Sequence, residues 1–230
     1  MRPIRLFACL VALTAVHPVF AQGRLPTIPP EQYTPEQKQA VQDFEAARKA
    51  AVRGPFQPLL HSPQVMTLMR STGDYLRYKS AIGTTLSELV ILVVAREWTQ
   101  DYEWMVHQPI AVDVGIKASI TQAIAEGRRP QGMSDDEEIV YDFSTELHKN
   151  KHVSDHTFAR AEKRFGKQGV VDLTAINAYY TSLAMQMNAA EYQVPKDAKR
   201  LQRFPQADAG VHRRTLVRLS LLATPLSLAA

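Results

Sequence analysis

Cysteine is nearly missing from this 230-residue chain, occurring once, as Cys9. That thiol lies in an N-terminal stretch that reads as a cleaved leader, so the mature chain is expected to carry none. Such a chain holds no disulfide, builds no thiolate–metal site and offers no cysteine nucleophile. Long apolar runs are missing too. No segment reaches the roughly 20 apolar residues of a membrane-crossing helix, so no transmembrane segment is expected in the mature chain. A large charge excess is the third absence. The formal charge of +4 includes Arg2 and Arg5, and residues 1–21 contain no acid, so the remainder carries only +2. No basic stripe interleaved with aromatic residues accompanies it, which argues against a nucleic-acid partner.

What is present is the composition of a soluble globular domain, 45% hydrophobic and 22% charged. Residues 1–21 have the three parts of a secretory signal: Arg2 and Arg5, the apolar "LFACLVALTAV", and the small-residue site "VFA" before Gln22. Export to the periplasm or beyond, with cleavage near Ala21, is therefore expected. Residues 22–33 form a proline-rich lead-in, a single domain fills 34–205, and 206–230 is a basic, leucine-rich tail interrupted by Pro225. The tail reads as loosely ordered, with an amphipathic docking segment as the alternative.

The domain reads as all-α, with seven or eight helices. Thr34-Pro35-x-Gln37 is a capping box that opens a helix to about Val52, and Ser62-Pro63 opens one to about Tyr78. "LVILVVA" at 89–95 is equally compatible with a buried strand. No partner strand lies at suitable spacing, so a helix over 86–98 buried on all sides is the preferred reading. Further helices are expected at about 100–114, up to 126, from the Ser134 capping box to 149, and at 155–165 and 169–188.

Three residues invite a chemical reading. Glu103 and His107 stand four apart, one helical turn, and so share a face. If 86–98 and 100–114 form an antiparallel hairpin, Glu88 comes within reach of His107. Plainer readings remain open: Thr85-x-x-Glu88 is itself a capping-box pattern, and Glu103–His107 can be a solvated ion pair. His148, His152 and His156 recur at intervals of four, but "NKHVS" reads as a loop and lysines flank it, so no metal is expected. "YYTSLAMQM" at 179–187 reads as core or subunit interface.

The stretch "ELVILVVAREWTQDYEWMVHQPIAVDVGI" resembles the core of the carboxymuconolactone decarboxylase family, whose all-helical fold is shared with alkylhydroperoxidase D. "FSTELHKNKHVSDHTFARAEKRFGKQGVVDLTAINAYYTSLAMQMNAAEYQVP" is similar to the C-terminal half of its longer members. The resemblance covers roughly residues 55–195. It places the glutamate of the alkylhydroperoxidase branch on Glu88, its histidine on His107, and its two cysteines on Gln100 and Glu103. Thiol peroxidase chemistry needs both thiols, so the resemblance implies the decarboxylase branch: a cofactor-free acid–base lyase for a small carboxylated lactone or keto acid. In that reading His107 is the proton donor, Glu88 and Glu103 orient and charge it, and Arg77 or Arg96 binds the substrate carboxylate. The family implies a homo-oligomer, trimer or hexamer. A non-catalytic, ligand-binding oligomer on the same fold is the alternative.

Overall fold

The computed structural model describes residues 23–204; the expected leader with Cys9 and the whole of the tail over 206–230 lie outside them. Within that range eight α-helices and one 3-10 turn (Pro30–Gln32) account for the regular structure, and no strand is present among the described residues. The helices are α1 (Pro35–Arg48), α2 (Phe56–Leu59), α3 (Pro63–Tyr78), α4 (Gly83–Glu97), α5 (Asp101–Asp113), α6 (Ala118–Ala125), α7 (Asp135–Asn150) and α8 (Asp155–Ala189).

Local signals set most of the starts. The Thr34 capping box closes in both directions, Gln37 N–H donating to Thr34 Oγ1 at 3.3 Å and Thr34 N–H to Gln37 Oε1 at 3.0 Å. Ser134 and Glu137 repeat the device on α7. Each such cap contributes about 1 kcal/mol. At α3 only half of the signal operates, because Pro63 occupies the first turn while the Ser62 side chain makes no cap bond. Helix α1 stops at Arg48 rather than near Val52, since Lys49 turns left-handed (φ 54°) and closes on Glu45. The two helices expected over 155–188 run as one element, α8, broken in direction at Gly166, whose φ of 69° and ψ of 177° no helix allows. Glycine suits that position because it has no Cβ to clash at positive φ.

The ambiguous apolar run resolves as α4, at the centre of the molecule. Every residue from Leu86 to Ala95 is buried, and Leu89, Val90, Ile91 and Leu92 have no exposed surface. Helices α3, α5, α6, α7 and α8 surround it. A strand assignment fails because four consecutive side chains point in four directions, and helices stand in each. The enclosure is complete within one chain, so the burial of α4 does not itself call for a second subunit.

Thr85 and Glu88 do not form a capping box. Helix α4 already begins at Gly83, and Thr85 Oγ1 donates instead to the Val114 carbonyl at 3.0 Å, tying the start of α4 to the end of α5. The antiparallel hairpin of α4 and α5 is present, turning through Thr99 in the left-handed region. The chain after α8 is also part of the fold: Leu201 is buried in the core, and its N–H donates to Asp101 Oδ1 at 3.0 Å. No helix among the described residues is long and apolar enough to cross a membrane.

The packing of α4 leaves no room to relax. Leu89→Ala is expected to lower unfolding free energy by about 2–5 kcal/mol, the usual cost of a buried leucine. Urea denaturation checks this; a loss under 1 kcal/mol would mean the site collapses freely and α4 is not the tightly packed centre.

Candidate active site

Three helices bring the charged groups together, and a fourth adds two tyrosines. Glu88 comes from the second turn of α4 and has no exposed surface. Glu103 and His107 come from successive turns of α5 and are 3% and 4% exposed. Arg77 comes from the last turn of α3, and Tyr179 and Tyr180 from the apolar side of α8. The pair on α5 is therefore buried, and the solvated ion pair left open by its spacing is ruled out.

The imidazole is held at both nitrogens. His107 Nδ1 meets Glu88 Oε2 at 2.6 Å, and Nε2 meets Glu103 Oε2 at 3.2 Å. Arg77 Nε donates to the other Glu88 oxygen at 3.1 Å. The edge of Tyr180 stands against the imidazole with ring centroids 5.4 Å apart, and Tyr179 packs edge-on against Tyr180. Two carboxylates thus face one imidazolium and one guanidinium, a balanced set.

Burial and charge pull the acidities in opposite directions, and charge wins. Burial alone would lower the His107 pKa, but hydrogen bonds and charge from Glu103 and Glu88 raise it above the usual histidine value, favouring the imidazolium. Burial would raise Glu88, yet His107 and Arg77 hold its carboxyl below the usual range. Removing one ion from water costs several kcal/mol. A unit pair at about 4 Å returns about 4 kcal/mol at an effective dielectric near 20. One partner roughly offsets the loss, and two make the charged state secure. The Tyr180 phenol is pushed well above its ordinary value, chiefly by burial, and stays protonated.

All of these groups except Glu88 border a cleft of about 540 Å³. Arg77, Arg48, Arg53 and Lys79 give it a cationic lining, with Val106 and Leu183 as apolar wall. Arg48 is fixed by Asp74 at 2.9 Å and lies over the Phe44 and Phe56 rings. Glu103 Oε1 is buried and has no hydrogen-bond partner, an acceptor left open. Gly73 makes the close approach of α3 to α8 feasible, since a Cβ there would sit 2.2 Å from the Tyr179 hydroxyl.

Arg96 does not belong to this site. It lies eight residues beyond Glu88, about 12 Å along the helix at 1.5 Å per residue. Its guanidinium bonds the Ala125 and Gln202 carbonyls and Thr99 Oγ1, lining a different cleft. Gln100 is structural: its side chain caps α5 by accepting from Tyr102 N–H at 2.7 Å and reaches Asn188 at 2.8 Å. Of the spaced histidines, His148 is on α7 and bonds Asn177 at 3.1 Å, while His156 is on α8. Among the described residues no group of three or more His, Cys, Asp or Glu is placed to hold a metal. Sequence reasoning missed Tyr180 and Arg48; the first was read as core or subunit interface, and nothing near Arg48 in the sequence links it to His107.

Compared with known proteins, the chain matches no family model, and no curated protein matches it.

Two expectations follow from the charge balance. Glu88→Gln strands an imidazolium and a guanidinium in the interior and should cost about 3–5 kcal/mol; a cost near 1 kcal/mol in urea unfolding would mean the carboxylate is a minor contributor. With pH, Glu88's contribution is present above its unfolded value of 4.5 and lost as pH falls through its lowered folded value. His107's contribution is complete below 6.5 and is lost as pH rises through its raised folded value. Stability from this pair is therefore greatest between those two values. His107→Asn should flatten the alkaline limb of stability against pH, and a limb of unchanged slope would place its origin elsewhere.

Proposed function

We propose that the protein is a cofactor-free acid–base enzyme of the carboxymuconolactone decarboxylase type, acting on a small carboxylated lactone or keto acid in the cleft beside His107. The observation that carries this reading is the imidazolium held between two buried carboxylates in the wall of a cationic cleft. Export, read from residues 1–21, and assembly as a trimer or hexamer belong to the same proposal. Exposed Leu68, Tyr78 and Val171 are apolar surface that subunit contacts would cover.

The chemistry divides among the residues as follows. A substrate carboxylate about to leave must not be stabilised, because binding the ground state tightly slows the step. It lies against Val106 and Leu183. Arg77, with only its Nε bonded to Glu88, receives the carbonyl oxygen or a second carboxylate on its terminal nitrogens. The carbon–carbon bond breaks, CO2 departs, and the electron pair moves to the carbonyl oxygen as an enolate beside the Arg77 cation. Protonation then comes from His107. Its Nε2 is already engaged by Glu103 Oε2, so the proton moves onto that oxygen, and rotation of the Glu103 carboxyl, whose Oε1 has no partner to hold it, carries the proton to the enolate carbon. Glu88 keeps the ring oriented throughout and favours its return to the charged form once the proton has left. Gln100 and Glu103, where the redox branch has cysteines, cannot reduce a peroxide.

One observation favours the other reading, a ligand-binding protein without catalysis: both ring nitrogens are satisfied internally and the ring is nearly inaccessible. The two are separated by measuring CO2 release from a panel of carboxylated lactones and keto acids with the mature protein. On an active substrate His107→Ala should lower turnover by about 10²–10⁴-fold, the contribution of one acid–base group. Full activity in that variant would sink the mechanism. Binding of panel compounds that weakens in Arg77→Ala, with no CO2 from any of them, would establish the non-catalytic reading.

A further inference from the structure

A second, larger cleft of about 880 Å³ lies at the far end of α4 from Glu88, where α4, α6, α7 and α8 all reach their C-terminal turns. Its lining carries five cations against a single acid, Glu97. Helix ends and carboxylates answer much of that charge. Lys151 Nζ donates to the His148 carbonyl, Arg128 pairs with Glu126, and Arg203 pairs with Asp101 at 2.7 Å. Two cations are left over. Arg96 meets only neutral oxygens, two carbonyls and the Thr99 hydroxyl. Lys149 is exposed and has no partner among the described residues.

A third group in the same wall also lacks an acceptor. The Trp98 indole N–H is closed off from solvent and makes no hydrogen bond, an uncommon state for a buried donor. Around it the cleft is apolar and aromatic, with Val93, Ile124 and Phe204, whose ring lies 4.6 Å from the Arg96 guanidinium carbon. Two cations with no carboxylate bonded to them (Asp101 and Glu97 act on Arg96 only through charge), one orphaned donor and flat apolar walls share one chemical complement: an anionic head on a planar body.

We infer that this cleft is a second binding site, for a small organic anion of the aromatic carboxylate class, distinct from the cleft at His107. The carboxylate takes the charges of Lys149 and Arg96 and draws the Trp98 N–H out of its closed position, and the ring lies against Phe204 and Ile124. The helix carbonyls nearby do not repel it, because Arg96, Lys151 and Asn188 already occupy the Ala125, His148 and Trp98 carbonyl oxygens. No catalysis is required of this site, and it does not depend on the function proposed for the other.

The chain has two tryptophans, and the second, Trp104, is buried outside this cleft. Trp98 is therefore a built-in reporter. Titrating the full chain with benzoate should change its fluorescence saturably. The change should vanish in Trp98→Phe, persist with about tenfold weaker Kd in Lys149→Ala, as for one lost charged contact, and remain unaltered in Arg77→Ala. Because Lys149 is exposed, that variant keeps the test sound even if Trp98→Phe folds poorly. Inorganic phosphate serves as the second probe and should bind more weakly than benzoate. A linear response, or one that Lys149→Ala leaves unchanged, overturns the site; phosphate binding as tightly as benzoate overturns its preference for a planar body.

Discussion

A carboxylate with no exposed surface stays ionised only if neighbouring charges replace the water it has lost. Glu88 is in that position, and it obtains replacement from two helices at once: Arg77 on α3 and His107 on α5. The requirement propagates outward. His107 needs a second carboxylate to remain charged against its own burial, and Glu103 supplies it one turn away on the same helix. Helices α3, α4 and α5 therefore cannot slide past one another without separating opposite charges in a medium that screens them poorly. Apolar packing alone tolerates small shifts; this constellation does not. It fixes the relative heights of three helices, and with them the shape of the cleft they wall.

Much of the fold was legible because the signals were local. Thr34 and Ser134 carry their own capping partners three residues on, and Gly166 marks a change of direction that only a residue without a side chain adopts readily. The helix of 89–95 was legible by elimination, since a buried strand needs a partner and none was in view. Glu88 shows where local reasoning fails. Its capping-box pattern with Thr85 was real as a spacing, but the helix began three residues earlier than that pattern implies, and Thr85 was taken by the Val114 carbonyl. Arg96 shows the same limit in another form: an arginine near the motif in sequence is rotated and displaced from it in space. Conversely, Tyr180 and Arg48 reach the site from α8 and α1, and no spacing rule connects elements so far apart along the chain.

The two positions that the resemblance sets on cysteines play different parts in the structure. Gln100 is a piece of architecture, capping α5 and linking it to Asn188 near the end of α8. Glu103 is a reactive type of residue, with one oxygen on the imidazole and the other unclaimed. A site with an acid and a histidine but no thiol has the means to move protons and lacks the means to move electron pairs through sulfur.

The complete enclosure of α4 also bears on how the chain is made. Its covering comes mostly from later in the sequence, since α5, α6, α7 and α8 all follow it. A chain growing from its N-terminus therefore exposes "LVILVVA" for as long as it takes to add roughly ninety further residues, at about 5–20 residues per second. During those seconds the future centre of the protein is a seven-residue apolar, β-branched and uncharged segment, the kind that pairs readily with copies of itself. The glutamates and arginines around it, Glu88 before and Arg96 and Glu97 after, then act as flanking charges that keep nascent chains apart. The Glu88 side chain that later anchors the buried charge set is thus, on the unfinished chain, a guard against aggregation.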